Sequence, residues 1–246
     1  MTRFPSSSPS LSYLLAQRFS DAPDVEPLPG HDLLRSMAGR GSCRAFRETP
    51  VSDETLEMLS AVALSSPTKS DLQQRDIVVL KSAQKRAQLA ELVSGQAWVA
   101  QAPVLLVFCG NNRRQRLLHS WTGIPFANDH LDAFANALAD AAIALAAFVT
   151  AAEALGLGCC PISAVRNEAA QVSHLLGLPD HVFPFAGLAL GHPAASPEMS
   201  MRLPLKVTYH VDHYGEEGLR PAVEVYDAAR ASRQPYKTQR FEEHFG

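Results

Sequence analysis

Between Leu131 and Leu155 the chain carries an Ala-rich run whose only charges are Asp132, Asp140 and Glu153. Alanine is the strongest helix former, and a helix with so little charge belongs in the interior of a domain. The run is therefore expected to form the long central helix, with small side chains that allow close packing. The chain has 246 residues, 46% of them hydrophobic and 19% charged, enough to build a sizeable core around it. At ~150 residues per domain this is one large domain or two small ones.

Composition excludes several functions. Twenty-two basic residues against 25 acidic ones give a formal net charge of -3, too even for a protein built to neutralise a phosphate backbone, so nucleic acid is not expected as a partner. The four cysteines, Cys43, Cys109, Cys159 and Cys160, form no C-x-x-C pair, which argues against a disulfide framework or zinc knuckle and fits a reducing cytoplasm. The N-terminus is rich in Ser and Pro and lacks the apolar core of a signal peptide. The most apolar stretch, Ala141 to Ala152, is shorter than the ~20 residues of a membrane span, so no membrane association is expected. His210 and His213 lie in a Pro-flanked tail with no third ligand in view, and no metal is assigned.

Along the chain, residues 1–30 read as a partly disordered extension with a short helix over Leu11 to Phe19 and a Pro-rich linker from Asp21 to Gly30. Asp32 is expected to cap a helix carrying Leu33, Leu34 and Met37, broken by Gly39 and Gly41. An extended segment follows from Arg40 to Phe46, then a helix opened by Ser52 and stopped near Pro67. Strands are expected at Asp76 to Leu80 and Ala102 to Phe108, separated by a helix over Ala83 to Val93. Asn111 to Asp129 lacks periodicity and reads as a long basic loop holding Arg113, Arg114 and Arg116. After the central helix come a strand at Cys159 to Ile162, a helix from Asn167 and a strand at Val182 to Leu190. From His192 onward, repeated prolines suggest an extended arm. The alternation of strands and helices fits α/β or α+β.

Familiar nucleotide loops are missing. No G-x-x-x-x-G-K-[ST] occurs, and Gly156-x-Gly158 has Pro161 where a dinucleotide fingerprint needs glycine. Arg40-Gly41-Ser42-Cys43-Arg44 differs, because alternate residues of an extended segment project from one face and present two guanidiniums and a hydroxyl together. This set can clamp an anion, since guanidinium forks match phosphate oxygens.

Several motifs in order resemble the FMN-dependent nitroreductase family, in particular the branch of the major oxygen-insensitive nitroreductase and the NADPH-flavin reductases. Arg40-x-Ser42-x-Arg44 matches its first signature. Pro67-Thr68-Lys69-Ser70-Asp71-Leu72-Gln73 is similar to its second flavin segment. Ser94-Gly95-Gln96, the run Val99 to Pro103, Ala152 to Gly158, Arg166-Asn167 and Arg202-Leu203-Pro204 follow at comparable spacing. The resemblance covers roughly Arg35 to Tyr214.

It implies an α+β fold, a mostly antiparallel sheet flanked by helices. It also implies a homodimer with an extended C-terminal arm, with an FMN-binding domain over 31–214 and the arm over 215–246. FMN is expected across the dimer interface, with Arg40, Ser42 and Arg202 at its phosphate and ribityl end and Arg44 near ribityl or pyrimidine oxygens. Thr68, Asp71 and Gln96 match ribityl and ring-edge positions, and Lys69 supplements the charge. Pro161, Ile162, Ser163 and Ala164 correspond to the stretch along the ring, with the Ser163 amide toward N5 and Arg166 toward the pyrimidine end. The chain departs from the branch at Ser163-Ala164, where glycines are common, and at Ser200, where a lysine is common. The implied activity is ping-pong oxidoreduction, NADPH or NADH delivering hydride to flavin N5 and a nitroaromatic, quinone or free flavin accepting it. No protein side chain is assigned as a catalytic acid. The other reading is a flavin-binding sensor or interaction protein without turnover.

Overall fold

The structure is a computed structural model that describes residues 9–23, 30–93 and 97–235. The expectations for residues 1–8, for most of the linker after Asp21, for Gln96 and for the last residues of the chain lie outside that range. Helices and strands follow in the order α1 (Leu11–Arg18), α2 (His31–Gly39), α3 (Asp53–Leu64), β1 (Arg75–Leu80), α4 (Ala83–Leu92), α5 (Ala97–Ala100), β2 (Val104–Asn111), α6 (Arg113–Thr122), α7 (Leu131–Ala154), β3 (Gly158–Ile162), α8 (Ala169–Leu176), β4 (Val182–Gly191), α9 (Leu205–Thr208) and α10 (Leu219–Arg233). The described residues of 42–197 make one compact unit, and those of 1–41 and 198–246 make a second.

In the larger unit the four strands pair in the order β1-β2-β4-β3, antiparallel throughout, as an α+β sheet should. Arg75 faces Gly110 across β1 and β2, Val104 faces Leu190 across β2 and β4, and Ile162 faces Gly187 across β3 and β4. Side chains alternate between two cores because successive residues of a strand point to opposite faces. Leu106 and Phe108 join Leu188, Leu190 and Cys159 beneath α3 and α7, whereas Leu105, Val107 and Cys109 join Ala189, Cys160 and Ile162 beneath α4, α5 and α8. Every residue of β2 is buried, since it has a strand on each side and a helical layer on each face.

The central helix is where the Ala-rich run puts it. On its inner face Ala137, Ala141, Ala144 and Phe148 are fully covered, and the Phe148 ring meets Phe108 edge-on at 5.6 Å between centroids. The length argument against membrane insertion does not hold for this element. Counted as a 24-residue helix instead of its uninterrupted apolar stretch, α7 is long and apolar enough to cross a bilayer by length and composition, but its inner face packs on the sheet.

Three local expectations need correction. Gly30, with φ of 76°, caps α2, and Asp32 sits in the first turn, where its charge complements the helix dipole. The segment after Asn111 is not an aperiodic loop, since α6 occupies its first half. Its sequence hides a helix because the inward positions are polar, Gln115 being the buried one. The tail is likewise not wholly extended, because α10 forms 15 residues of helix there. Pro221 lies in its first turn, where a missing N–H removes no intrahelical bond.

Candidate functional site

The second flavin-like motif leads into β1 through a loop that its own sequence does not favour. Ser70, Asp71 and Gln73 have φ of 49°, 56° and 52°, a left-handed conformation that costs non-glycine residues on the order of 1–3 kcal/mol each. Such a path persists only where its surroundings impose it. Asp140, on α7 and 1% exposed, supplies much of that constraint: its Oδ1 accepts the Lys69 N–H at 2.9 Å and its Oδ2 the Gln74 N–H at 2.8 Å. From α6, Gln115 donates to the Leu72 carbonyl at 2.7 Å, and Arg114 to the carbonyls of Gln73 at 2.6 Å and Arg75 at 3.0 Å. With its backbone held, the loop turns Lys69 and Asp71 outward, Thr68 staying half-buried. Lys69 Nζ lies 2.9 Å from Ser70 Oγ.

The ring-facing stretch forms the end of β3 and a single 3-10 turn over Ser163–Arg166. Pro161 and Ser163 are exposed and Ala164 half-buried, but the Ile162 side chain is 3% exposed and belongs to the core, so Ile162 offers a ligand only its main chain. Arg166 is clipped to β4 by a 2.8 Å hydrogen bond from Nη1 to the Phe185 carbonyl, with its guanidinium 5.8 Å from the Phe185 ring centre.

Ser42 and Arg44 join this edge. The Cys43 N–H donates to the Cys159 carbonyl at 2.9 Å, aligning the segment with β3, and the Cys43 side chain is buried. Alternation in an extended segment then directs its neighbours away from that core. Ser42 is half-buried, and Arg44 is exposed with its guanidinium 5.7 Å from the Trp98 ring centre. The sheet order puts β1 and β3 on opposite edges, three strand intervals or about 14 Å apart. Thr68, Lys69 and Asp71 therefore stand by one edge of the sheet, while Ser42, Arg44 and Ser163 stand by the other.

The smaller unit gathers the remaining two predicted residues. Arg40 and Arg202, far apart in sequence, line one groove of about 430 Å³ whose floor is apolar, with Leu11, Leu15, Leu34 and Met37 among its residues. Arg202 Nη1 is held by Ser200 Oγ at 2.6 Å and by the Met201 carbonyl at 3.0 Å. Ser200, the departure from the lysine of the branch, thus braces the arginine beside it. Two guanidiniums on one groove are the donor set that a phosphate dianion requires.

Sequence reasoning missed Asp140, Gln115 and Arg18. Asp140 had a signal, as a lone carboxylate in the middle of an apolar helix must find partners or stay neutral. Two of the arginines expected in a basic loop serve the fold. Arg114 pairs with Asp76 at 2.7 Å, and Arg116 with Asp129 at 2.5 Å while packing 4.6 Å from the Phe126 ring centre. The hydrogen bond from Arg116 holds the Asp129 carboxyl below the usual carboxylate range. All four cysteines are buried and none is in a disulfide; burial, with a contribution from Asp76, pushes the Cys109 thiol up to about 12.

The fold is shared with known proteins. The chain is 33% identical over 202 residues to an FMN reductase [NAD(P)H] of Bacillus subtilis (80% of each chain), and 32% identical over 214 residues to an NADPH-flavin oxidoreductase of Vibrio harveyi (85% of this chain, 88% of the relative). Among solved structures, that of B. megaterium NfrA2 superposes with a TM-score of 0.79 at 34% identity, covering 82% of each chain. The NADPH:FMN oxidoreductase from Vibrio harveyi, solved in complex with NAD+, gives 0.76 at 31% identity over 82% of this chain and 85% of that one. The model of the Nitroreductase family matches residues 37–192, and with sheet, motif order and relatives in agreement, the chain belongs to the nitroreductase family.

Proposed function

We propose that the protein is an FMN-dependent NAD(P)H oxidoreductase of the flavin reductase and nitroreductase type, working by a ping-pong mechanism on a small acceptor such as a nitroaromatic, quinone or free flavin. The observation that carries this is the convergence of Arg40 and Arg202 on one groove, the residues that the family resemblance assigns to the phosphate. When bound, FMN supplies a two-electron carrier at N5 that takes hydride from the nicotinamide and passes it on. The chain's own contribution is positioning and charge. Arg40, Ser42 and Arg202 bind the phosphate end, and Arg44 and Arg166 present positive charge where reduced flavin gathers negative charge. The 3-10 turn offers the Ser163 N–H to the ring, and Thr68, Lys69 and Asp71 line its ribityl and pyrimidine side. Gln96 is assigned to the same edge.

A homodimer fits two features. The strained loop and the ring-facing turn lie on opposite edges of one sheet, so a site built from both is completed by loops from two protomers. The outer side of α7 is also apolar, with Leu131, Phe134 and Ile143 78%, 46% and 40% exposed, and Met58 and Val62 are exposed on neighbouring α3. A helix apolar on both sides needs a second cover, and a second copy supplies it. Buried cysteines outside any disulfide suit a cytoplasmic setting. The sensor reading is not favoured, since the relatives carry the names of reductases.

The test is an anaerobic visible spectrum of the FMN-supplemented protein before and after stoichiometric NADPH, then NADH. Loss of the band near ~450 nm on mixing is expected. Retained but unreduced flavin would move the reading to the sensor, and failure to retain flavin would reject FMN as cofactor.

A further inference from the structure

Arg18 lines the same groove as Arg40 and Arg202, on a segment to which the family resemblance gives no role. Arg18 ends α1 and is only 6% exposed. Burying a permanent charge is costly unless its donors are matched, and here they are matched by main chain from three places. Nε donates to the Ala38 carbonyl, Nη2 to the Arg40 carbonyl, and Nη1 to the Ser200 carbonyl at 3.1 Å. In the reverse direction, the Arg202 N–H donates to the Arg18 carbonyl at 2.8 Å. One residue is thus bonded to the backbone of Arg40 and of Arg202 at once.

The segment is fastened on both sides of Arg18. Asp21 accepts the N–H groups of Leu205 at 2.7 Å and Lys206 at 3.0 Å, holding the chain three residues past Arg202. Gln17 accepts from Arg233 of α10, Oε1 at 2.8 Å and its carbonyl at 3.1 Å.

We propose that residues 11–21 are a built-in part of the phosphate site, with Arg18 the positioning residue that fixes the backbone of Arg40 and Arg202 for a phosphate monoester dianion. This rests on the reading that Arg40 and Arg202 hold the FMN phosphate.

The experiment compares FMN with riboflavin, which lacks the phosphate, by fluorescence titration of the full chain. Arg18→Met keeps the apolar stem and removes donors and charge. It is expected to raise the FMN Kd by about tenfold or more, the size of a lost charge-assisted contact, while leaving the riboflavin Kd within about twofold. Arg18→Lys, which restores a donor to these carbonyls but not the fork, should recover part of the loss. Equal weakening for both flavins, or an unchanged FMN Kd in Arg18→Met when Arg202→Ala raises it, would overturn the role of Arg18 and leave the phosphate reading standing. Wild-type protein that binds FMN no more tightly than riboflavin would reject that reading itself. If Arg18→Met does not fold, Asp21→Ala makes the same comparison from an exposed position. A rise of about threefold for FMN alone supports the strap, and a wild-type ratio between the two flavins rejects it.

Discussion

Asp140 reaches from the middle of α7 to the backbone N–H of Lys69, 2.9 Å away, and with its second oxygen to Gln74. A buried carboxylate on the core helix thereby sets the course of the loop that carries Thr68, Lys69 and Asp71. Replacing it with alanine leaves two buried N–H groups without an acceptor. Asp140→Ala should lower stability by about 3 kcal/mol and Asp140→Asn, which keeps one acceptor oxygen, by about half as much. Urea unfolding of the three proteins measures this, and equal midpoints would show that the loop is held by other contacts.

Arg114 ties α6 to Asp76 and to the carbonyls of Gln73 and Arg75. Its loss should cost about 1 kcal/mol, because the ion pair is partly exposed and screened. As its guanidinium is already engaged, Arg114→Ala should change the KM for NADPH and for NADH by the same factor. A selective rise for NADPH would instead mark Arg114 as a reader of the 2′-phosphate.

Ile143 is 40% exposed on the outer side of α7. A glutamate there leaves a monomer fold almost untouched and puts an unpaired charge into an interface between copies. Sedimentation velocity should find wild type dimeric and Ile143→Glu largely monomeric. A variant that remains dimeric would move the interface off this face.

The Asp21 carboxyl sits below its ordinary 3.8: burial pushes it up, and the N–H groups of Lys206 and Leu205 outweigh that push. A depressed carboxyl stabilises the fold above its unfolded pKa, and that stabilisation disappears as pH falls through the lower folded value. Thermal midpoints of wild type and Asp21→Asn should therefore differ above pH ~4 and converge below pH ~3. A constant gap over that range would mean that the charge contributes nothing.

Gly110 faces the Phe183 ring, and a methyl there would come within 2.3 Å of Cζ. Gly110→Ala should destabilise by about 1–3 kcal/mol through overpacking. Adding Phe183→Leu should return part of it, as thermal melts of the single and double variants would reveal.

Elements with strong periodicity were legible in the chain: Ser52 does cap α3, accepting the Thr55 N–H at 3.2 Å, and the Ala-rich run is α7. Elements whose inward side is polar were not, which is why α6, packed through Gln115 and Arg114, read as a loop. In α10, Pro221 looked like a breaker because its position within the first turn is visible only once the helix start at Leu219 is known. Of the candidate site, residue types and order could be read from the motifs. The edges on which they stand could not, because strand order is a long-range property that no local pattern encodes.

The sealed thiols make the protein a recorder of its own opening. Cys43, Cys109, Cys159 and Cys160 lie within the two cores of the larger unit or at their margin, and a group such as Cys109, with a pKa of about 12, presents almost no thiolate at neutral pH. A thiol reagent reacts with Cys109, Cys159 and Cys160 only in molecules whose helical layers have parted from the sheet, so their alkylation rates report the frequency of those excursions. Cys109 and Cys160 lie on one face of the sheet and Cys159 on the other. Mapping which thiol is modified first would therefore tell which layer lifts first, and whether bound FMN slows one layer or both.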